Sequence, residues 1–166
     1  MMSRYERRKV KRVTLLVTAI GVAMLLASRV ALAATFDGTP GPDSFVGTNG
    51  PDDIRGRGGD DTLSGAGGKD RVRGDGGNDR VSGDGGAHEV RGNFGNDDML
   101  GGDGPDLIRA DEGGIDTVSA GTGDDVVDAH DDAGKDTIDC GDGTDTVDFD
   151  AGVDEVAGNC ENIGPH

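Results

Sequence analysis

GRGGDDTLS (residues 56–64), GAGGKDRVR (65–73) and GDGGNDRVS (74–82) follow one another without a gap, and each repeats one nine-residue pattern. Gly stands at positions 1 and 4, Asp at position 6 and an aliphatic residue at position 8. The register extends in both directions. GTPGPDSFV and GTNGPDDIR (38–55) precede these segments, and GDGGAHEVR, GNFGNDDML and GGDGPDLIR (83–109) follow them. Beyond them the pattern loosens into ADEGGIDTVS, AGTGDDVVD, AHDDAGKDTID, CGDGTDTVD and FDAGVDEVA, which end at Ala157. Thirteen repeats therefore span residues 38–157, with extra residues in the ninth and eleventh.

The composition fits no ordinary packed domain. Gly accounts for 32 of 166 residues, well over twice the roughly 7% of an average chain. Aromatic residues make up 3%. Such a chain would be expected to stay disordered unless the repeat supplies its own means of folding. Charge is divided along the chain. Residues 1–33 hold seven of the 16 basic residues and one of the 33 acids, so the remainder carries 9 basic and 32 acidic residues, a net of −23. A segment that acidic repels nucleic acid and anionic membrane and attracts cations.

The spacing has a physical reading. Thr62-Leu63-Ser64 is a minimal strand, in which alternation sends Leu63 inward and its neighbours outward. The six residues before it must reverse the chain. Gly at positions 1 and 4 supplies backbone angles closed to other residues and lets carbonyls approach an ion. Asp at position 6 places a carboxylate at the end of each turn. Calcium takes about 6–8 oxygens, mixed from carboxylates and carbonyls, and two stacked turns can offer such a set. The interior column would be Phe45, Ile54, Leu63, Val72, Val81, Val90, Met99, Ile108, Val118, Val127, Ile138, Val147 and Val156. One apolar side chain per nine residues is too thin a core to hold the excess charge together. Folding is expected to be coupled to calcium.

The repeats resemble those of the repeats-in-toxin (haemolysin-type) calcium-binding family, whose motif is G-G-x-G-x-D-x-U-x with U large and apolar. Position 2 departs from it at Thr39, Thr48, Arg57, Ala66 and Asp75. The resemblance implies an all-β parallel β-roll in which two nonamers make one coil and calcium lies between the turns of repeats n and n+2. Carried onto this chain, one edge stacks Asp43, Asp61, Asp79, Asp97, Asp116, Asp136 and Asp154. The other stacks Asp52, Asp70, His88, Asp106, Asp125 and Asp145. These twelve aspartates are the expected metal ligands, for several calcium ions. His88 breaks the series, since imidazole is a poor ligand for a hard cation, and the sites bridging repeats 4/6 and 6/8 are expected to be weak or empty. His130 and His166 are isolated in the sequence.

The two ends differ from the middle. Residues 1–12 are basic, Val13–Ser28 is uncharged and largely apolar, and Ala31-Leu32-Ala33 suits cleavage after Ala33. These are the three parts of a secretory signal peptide, so the chain is expected to be secreted, extracellular or at the cell surface. A retained membrane anchor is the alternative, although the apolar run is shorter than the ~20 residues that span a bilayer. The expected organisation is a leader (1–33), the roll (34–157) and a cap (158–166). Cys140 and Cys160 flank the last coil of an apparently exported chain, which favours a disulfide closing it. No catalytic constellation is visible, and no enzymatic activity is expected. Alternating repeats would also align Arg55, Arg73, Arg91 and Arg109 in one outward column. That column either relieves repulsion by pairing with acids such as Asp53 and Glu89 or grips an anionic cell-surface polysaccharide.

Overall fold

The computed structural model describes residues 32–110, 112–130 and 134–165. The expected leader lies outside them except for Leu32 and Ala33. The described strands form two parallel sheets. The first sheet is ordered β1 (Thr35–Asp37), β3 (Asp53–Arg55), β6 (Arg71–Gly76), β8 (Glu89–Phe94), β10 (Leu107–Arg109), β12 (Val126–Ala129), β14 (Thr146–Phe149) and β16 (Asn162–Pro165). The second runs β2 (Ser44–Val46), β4 (Thr62–Ser64), β7 (Arg80–Gly86), β9 (Asp98–Asp103), β11 (Thr117–Thr122), β13 (Thr137–Asp142) and β15 (Glu155–Val156), with β5 (Gly67–Gly68) also paired to β7.

Each rung pairs with the rung two repeats away. Thr62 lies opposite Arg80 and Arg71 opposite Glu89, a step of 18 residues. Parallel neighbours ordinarily need a crossover of a dozen or more residues. Here the crossover is itself a strand of the opposite sheet, so two six-residue turns suffice. The chain is a parallel β-roll, seven rungs deep along one sheet path and eight along the other.

All thirteen position-8 residues lie in the strands, and Ile54, Leu63, Val72, Val81, Val90, Met99, Ile108, Val118, Val127, Ile138 and Val147 are buried. Phe36 adds a rung before the first repeat, and its ring packs tilted against that of Phe45, with centroids 5.1 Å apart. A second inward column, at position 1, was not foreseen. It is Gly in the first eight repeats, then Ala110, Ala120, Ala129 and Cys140, which are fully buried, and it ends at the half-buried Phe149 of the thirteenth. Alternation explains it, because positions 6, 8 and 1 share one face of the strand. Through the first twelve repeats the column stays small because the carboxylate of its own repeat crowds it. A Cβ on Gly65 would stand 2.8 Å from Asp70 Oδ2 and 2.8 Å from the Gly83 carbonyl.

This corrects the reading of the glycines. In the first eight repeats position 1 takes Gly for close approach. The left-handed angles fall at positions 4 and 2, as at Gly77 (φ 134°) and Gly86 (φ 139°). Position 2 is left-handed even without Gly, at Arg57 (79°), Ala66 (71°), Asp75 (73°), Asp84 (71°) and Asn93 (66°). Each such residue costs roughly 1–2 kcal/mol against Gly, less for Asn and Asp.

The segment assigned to a cap contains one more rung. β16 pairs with β14 and sets Ile163 beside Val147. Val156 lies beside Ile138, so the last turn covers 163 − 156 = 7 residues where the turn below covers 147 − 138 = 9. Cys140 and Cys160 are paired across this shortened turn, with Cα atoms 5.4 Å apart.

Candidate metal centre

The position-6 carboxylates form two ladders along the edges of the roll. In each, Oδ1 accepts the backbone N–H of the carboxylate residue one coil earlier. Asp43 N donates to Asp61 Oδ1 at 2.7 Å, Asp61 N to Asp79 at 2.7 Å, Asp79 N to Asp97 at 2.7 Å, Asp97 N to Asp116 at 2.8 Å, Asp116 N to Asp136 at 2.8 Å and Asp136 N to Asp154 at 3.0 Å. The other edge begins at Ala34 N, which donates to Asp52 Oδ1 at 2.6 Å, and continues through Asp70, His88, Asp106, Asp125 and Asp145. Glu161 completes it by accepting the Asp145 N–H at 3.0 Å. Sequence reasoning missed Glu161, although Glu161-Asn162-Ile163 repeats the acid-x-apolar signal of positions 6 to 8.

The second oxygen divides the aspartates into two groups. In Asp61, Asp70, Asp79, Asp97, Asp106, Asp125 and Asp145, Oδ2 is buried and receives no hydrogen bond. A buried carboxylate oxygen with no donor is costly unless a proton or a cation satisfies it. Burial accordingly pushes Asp61, Asp70, Asp97 and Asp125 above the usual carboxylate range, Asp79 up to about 6 and Asp106 up to about 7. Asp43, Asp52 and Asp154 differ. Their Oδ2 accepts the N–H of position 2, from Thr39 (2.6 Å), Thr48 (2.5 Å) and Asp150 (2.8 Å). Thr is β-branched and disfavours the left-handed angle, so the first two turns leave their N–H groups pointing at the carboxylate.

Carbonyls line the same turns. A Cβ on Gly68 would meet the Gly50 carbonyl oxygen at 2.8 Å and Asp70 Oδ1 at 3.2 Å. Gly77, Gly86, Gly95 and Gly104 meet the carbonyls of Gly59, Gly68, Gly77 and Gly86 in the same way. The turns are therefore oxygen-lined cradles that a side chain would fill. Hard anionic and carbonyl oxygens, with donors lacking on one side, fit a hard divalent cation.

His88 occupies a carboxylate's place in the ladder. Its Nδ1 accepts the Asp70 N–H at 3.2 Å and lies 3.3 Å from Asp70 Oδ2, and both side chains are fully buried. A neutral ring with Nδ1 accepting carries its proton on Nε2, which leaves no lone pair for a cation.

The arginine column is in register, with Arg55, Arg73, Arg91 and Arg109 paired across adjacent strands. Arg73 bonds Asp53 at 2.8 Å, and Arg91 pairs with Glu89. Arg55 instead reaches Asp75 at 3.0 Å, and Glu89 also takes Arg71 at 2.9 Å.

The family model for the RTX calcium-binding nonapeptide repeat (4 copies) matches residues 37–72, 60–87, 73–108, 91–113, 111–133 and 129–156. No curated protein and no solved structure matches the chain. With matched segments running from Asp37 to Val156 and the roll built on the same repeats, the chain belongs to the RTX calcium-binding nonapeptide repeat family.

Proposed function

We propose that this is an exported structural module whose turn aspartates bind calcium and whose folding depends on it. The observation that carries the reading is the row of buried Oδ2 atoms without donors, set over carbonyl-lined turns. A bound divalent cation supplies the positive charge those oxygens lack. The chain's own residues do the rest. Oδ1 fixes each carboxylate to the neighbouring coil, Gly keeps the turn open, and the apolar column holds successive turns in line. Asp61, Asp70, Asp79, Asp97, Asp106, Asp116, Asp125, Asp136 and Asp145 are the favoured ligands. Asp43, Asp52 and Asp154 bind weakly because their second oxygen is already engaged, and the two sites that His88 would share, bridging repeats 4/6 and 6/8, are weak for want of its carboxylate, so Asp70 and Asp106 act chiefly in the sites on their other sides. Equilibrium dialysis with calcium tests the reading. Several ions per chain retained against excess magnesium are expected, and none retained would overturn it.

Protons compete for the same oxygens. In the calcium-free roll, buried Asp79 and Asp106 hold protons up to about pH 6 and 7, where an unfolded chain has already lost them. The folded form then binds more protons than the unfolded form, so its stability falls as pH rises through that window. Far-UV circular dichroism in chelator should show more β structure at pH 5 than at pH 8. Equal spectra would contradict the burial of these carboxylates.

The secretory reading of residues 1–33 gives the ladder a starting point. Cleavage after Ala33 would leave the Ala34 α-amino group 2.6 Å from Asp52 Oδ1. Export also suits a Cys140–Cys160 disulfide, which closes a loop of sequence separation 20. Replacing both cysteines by Ser should lower stability by about 3 kcal/mol, read as an earlier thermal transition in calcium.

A second reading rests on the registered arginine column, which would grip an anionic cell-surface polysaccharide. Replacing Arg55, Arg73, Arg91 and Arg109 with Gln should abolish retention on such a polymer in calcium and leave the fold unchanged. Undiminished retention removes this reading.

A further inference from the structure

Outside the turns, one cluster joins residues that the sequence keeps apart. Asp128 is the last outward residue of β12, and His130, just beyond the strand, continues the alternation on the same outward side, since Val127 and Ala129 on either side of Asp128 are buried. Asp148 of β14 is the register partner of Asp128. One carboxylate or imidazole atom from each of the three lies within 4.8 Å of the other two, and all three side chains are half-buried. His130, isolated in the sequence, thus has two carboxylates beside it.

We propose that Asp128, His130 and Asp148 bind a divalent transition ion, with zinc the favoured occupant, at a site separate from the calcium turns. None of the three is a position-6 residue, so the ladders do not explain their convergence. Two carboxylates set opposite one another on adjacent strands offer a cation two anionic oxygens at once. The imidazole decides which cation. Calcium seeks about 6–8 oxygens and gains little from a ring nitrogen, whereas zinc takes one nitrogen and two carboxylate oxygens readily. With bonds of about 2.0–2.2 Å, a zinc ion can touch donor atoms roughly 3.5–4 Å apart. The three atoms therefore need to close by about an ångström or less. Three protein ligands leave one position open to water or to a ligand from solution.

Zinc titrated into the calcium-saturated full chain should bind at about one ion per chain by calorimetry and survive a tenfold rise in calcium. His130→Ala should weaken it about tenfold or more, and His88→Ala should not. Binding unchanged by His130→Ala, or displaced by the added calcium, overturns the site. Asp148→Asn should weaken zinc in the same way, with the far-UV spectrum as the check on folding. Because that variant can disturb β14, the unaltered protein provides an independent reading. Its His130 ring-proton resonances should shift with the first equivalent of zinc, and resonances that stay in place overturn the proposal.

Discussion

Chelating calcium at neutral pH is expected to abolish the β signal of the whole roll, and restoring calcium is expected to return it cooperatively. The argument is one of charge against core. Beyond residue 33 the chain carries a net −23, and its interior is one apolar column, with Gly, Ala or Cys at position 1 of the first twelve repeats filling the second. Ordering a residue costs roughly 1–2 kcal/mol in backbone entropy. A single Val or Leu per nine residues returns about 1.5–3 kcal/mol on burial. The ladders and sheets add hydrogen bonds of modest net worth. They also bury carboxylate oxygens that have no donor. Each ion held at a hundred times its dissociation constant adds about 2.7 kcal/mol, and several ions distributed along the roll can reverse the balance. Neighbouring coils share the ladder, so the transition should be steep, as in other one-dimensional repeats. Magnesium is the control, because it demands tight octahedral geometry and sheds water reluctantly. Far-UV circular dichroism during a calcium titration decides the matter. A β-rich spectrum in chelator would leave the solenoid in place and make calcium an accessory ligand.

Asp97→Asn is expected to disable the calcium response far more than Asp43→Asn. Asp97 is buried, its Oδ1 accepts the Asp79 N–H at 2.7 Å, and its Oδ2 has no donor. The amide retains an acceptor for the ladder bond but removes the charge, leaving a buried cation short of its counter-ion. Removing one member of such a buried pair costs about 3–5 kcal/mol, which is roughly a hundredfold or more in the calcium needed. Asp43 stands in the first turn, where Thr39 N already donates to its Oδ2 at 2.6 Å. Its loss should shift the calcium midpoint by less than about threefold. The two midpoints, measured by circular dichroism in the same buffer, provide the check. Equal shifts would mean that the engaged oxygen does not distinguish the terminal turns from the central ones.

Much of this is legible in the repeat alone. Leu63 and Val72 announce inward strand centres because period two leaves them no other face. Asp61 and Asp79, nine-residue units apart by two, fall into one ladder because a two-unit coil leaves no other register. The column of Arg55, Arg73, Arg91 and Arg109 follows from the same arithmetic. The motif also named the chemistry, since oxygen-rich turns suit a hard cation.

Other features needed the folded chain. Which aspartate keeps a free oxygen depends on the angle at position 2. Arg57 and Ala66 accept a left-handed turn there, while Thr39 and Thr48 turn their N–H groups onto the carboxylate. Arg55 pairs with Asp75, 20 residues on, because the turn of the next coil passes beside it. Glu161 joins a ladder only because the last turn is two residues short, and His130 meets Asp148 only through the pairing of β12 with β14. The repeat itself determined the coil, since its period fixes which residues face inward. Tertiary structure decided the contacts between coils, because these depend on turn angles and insertions that the period does not encode.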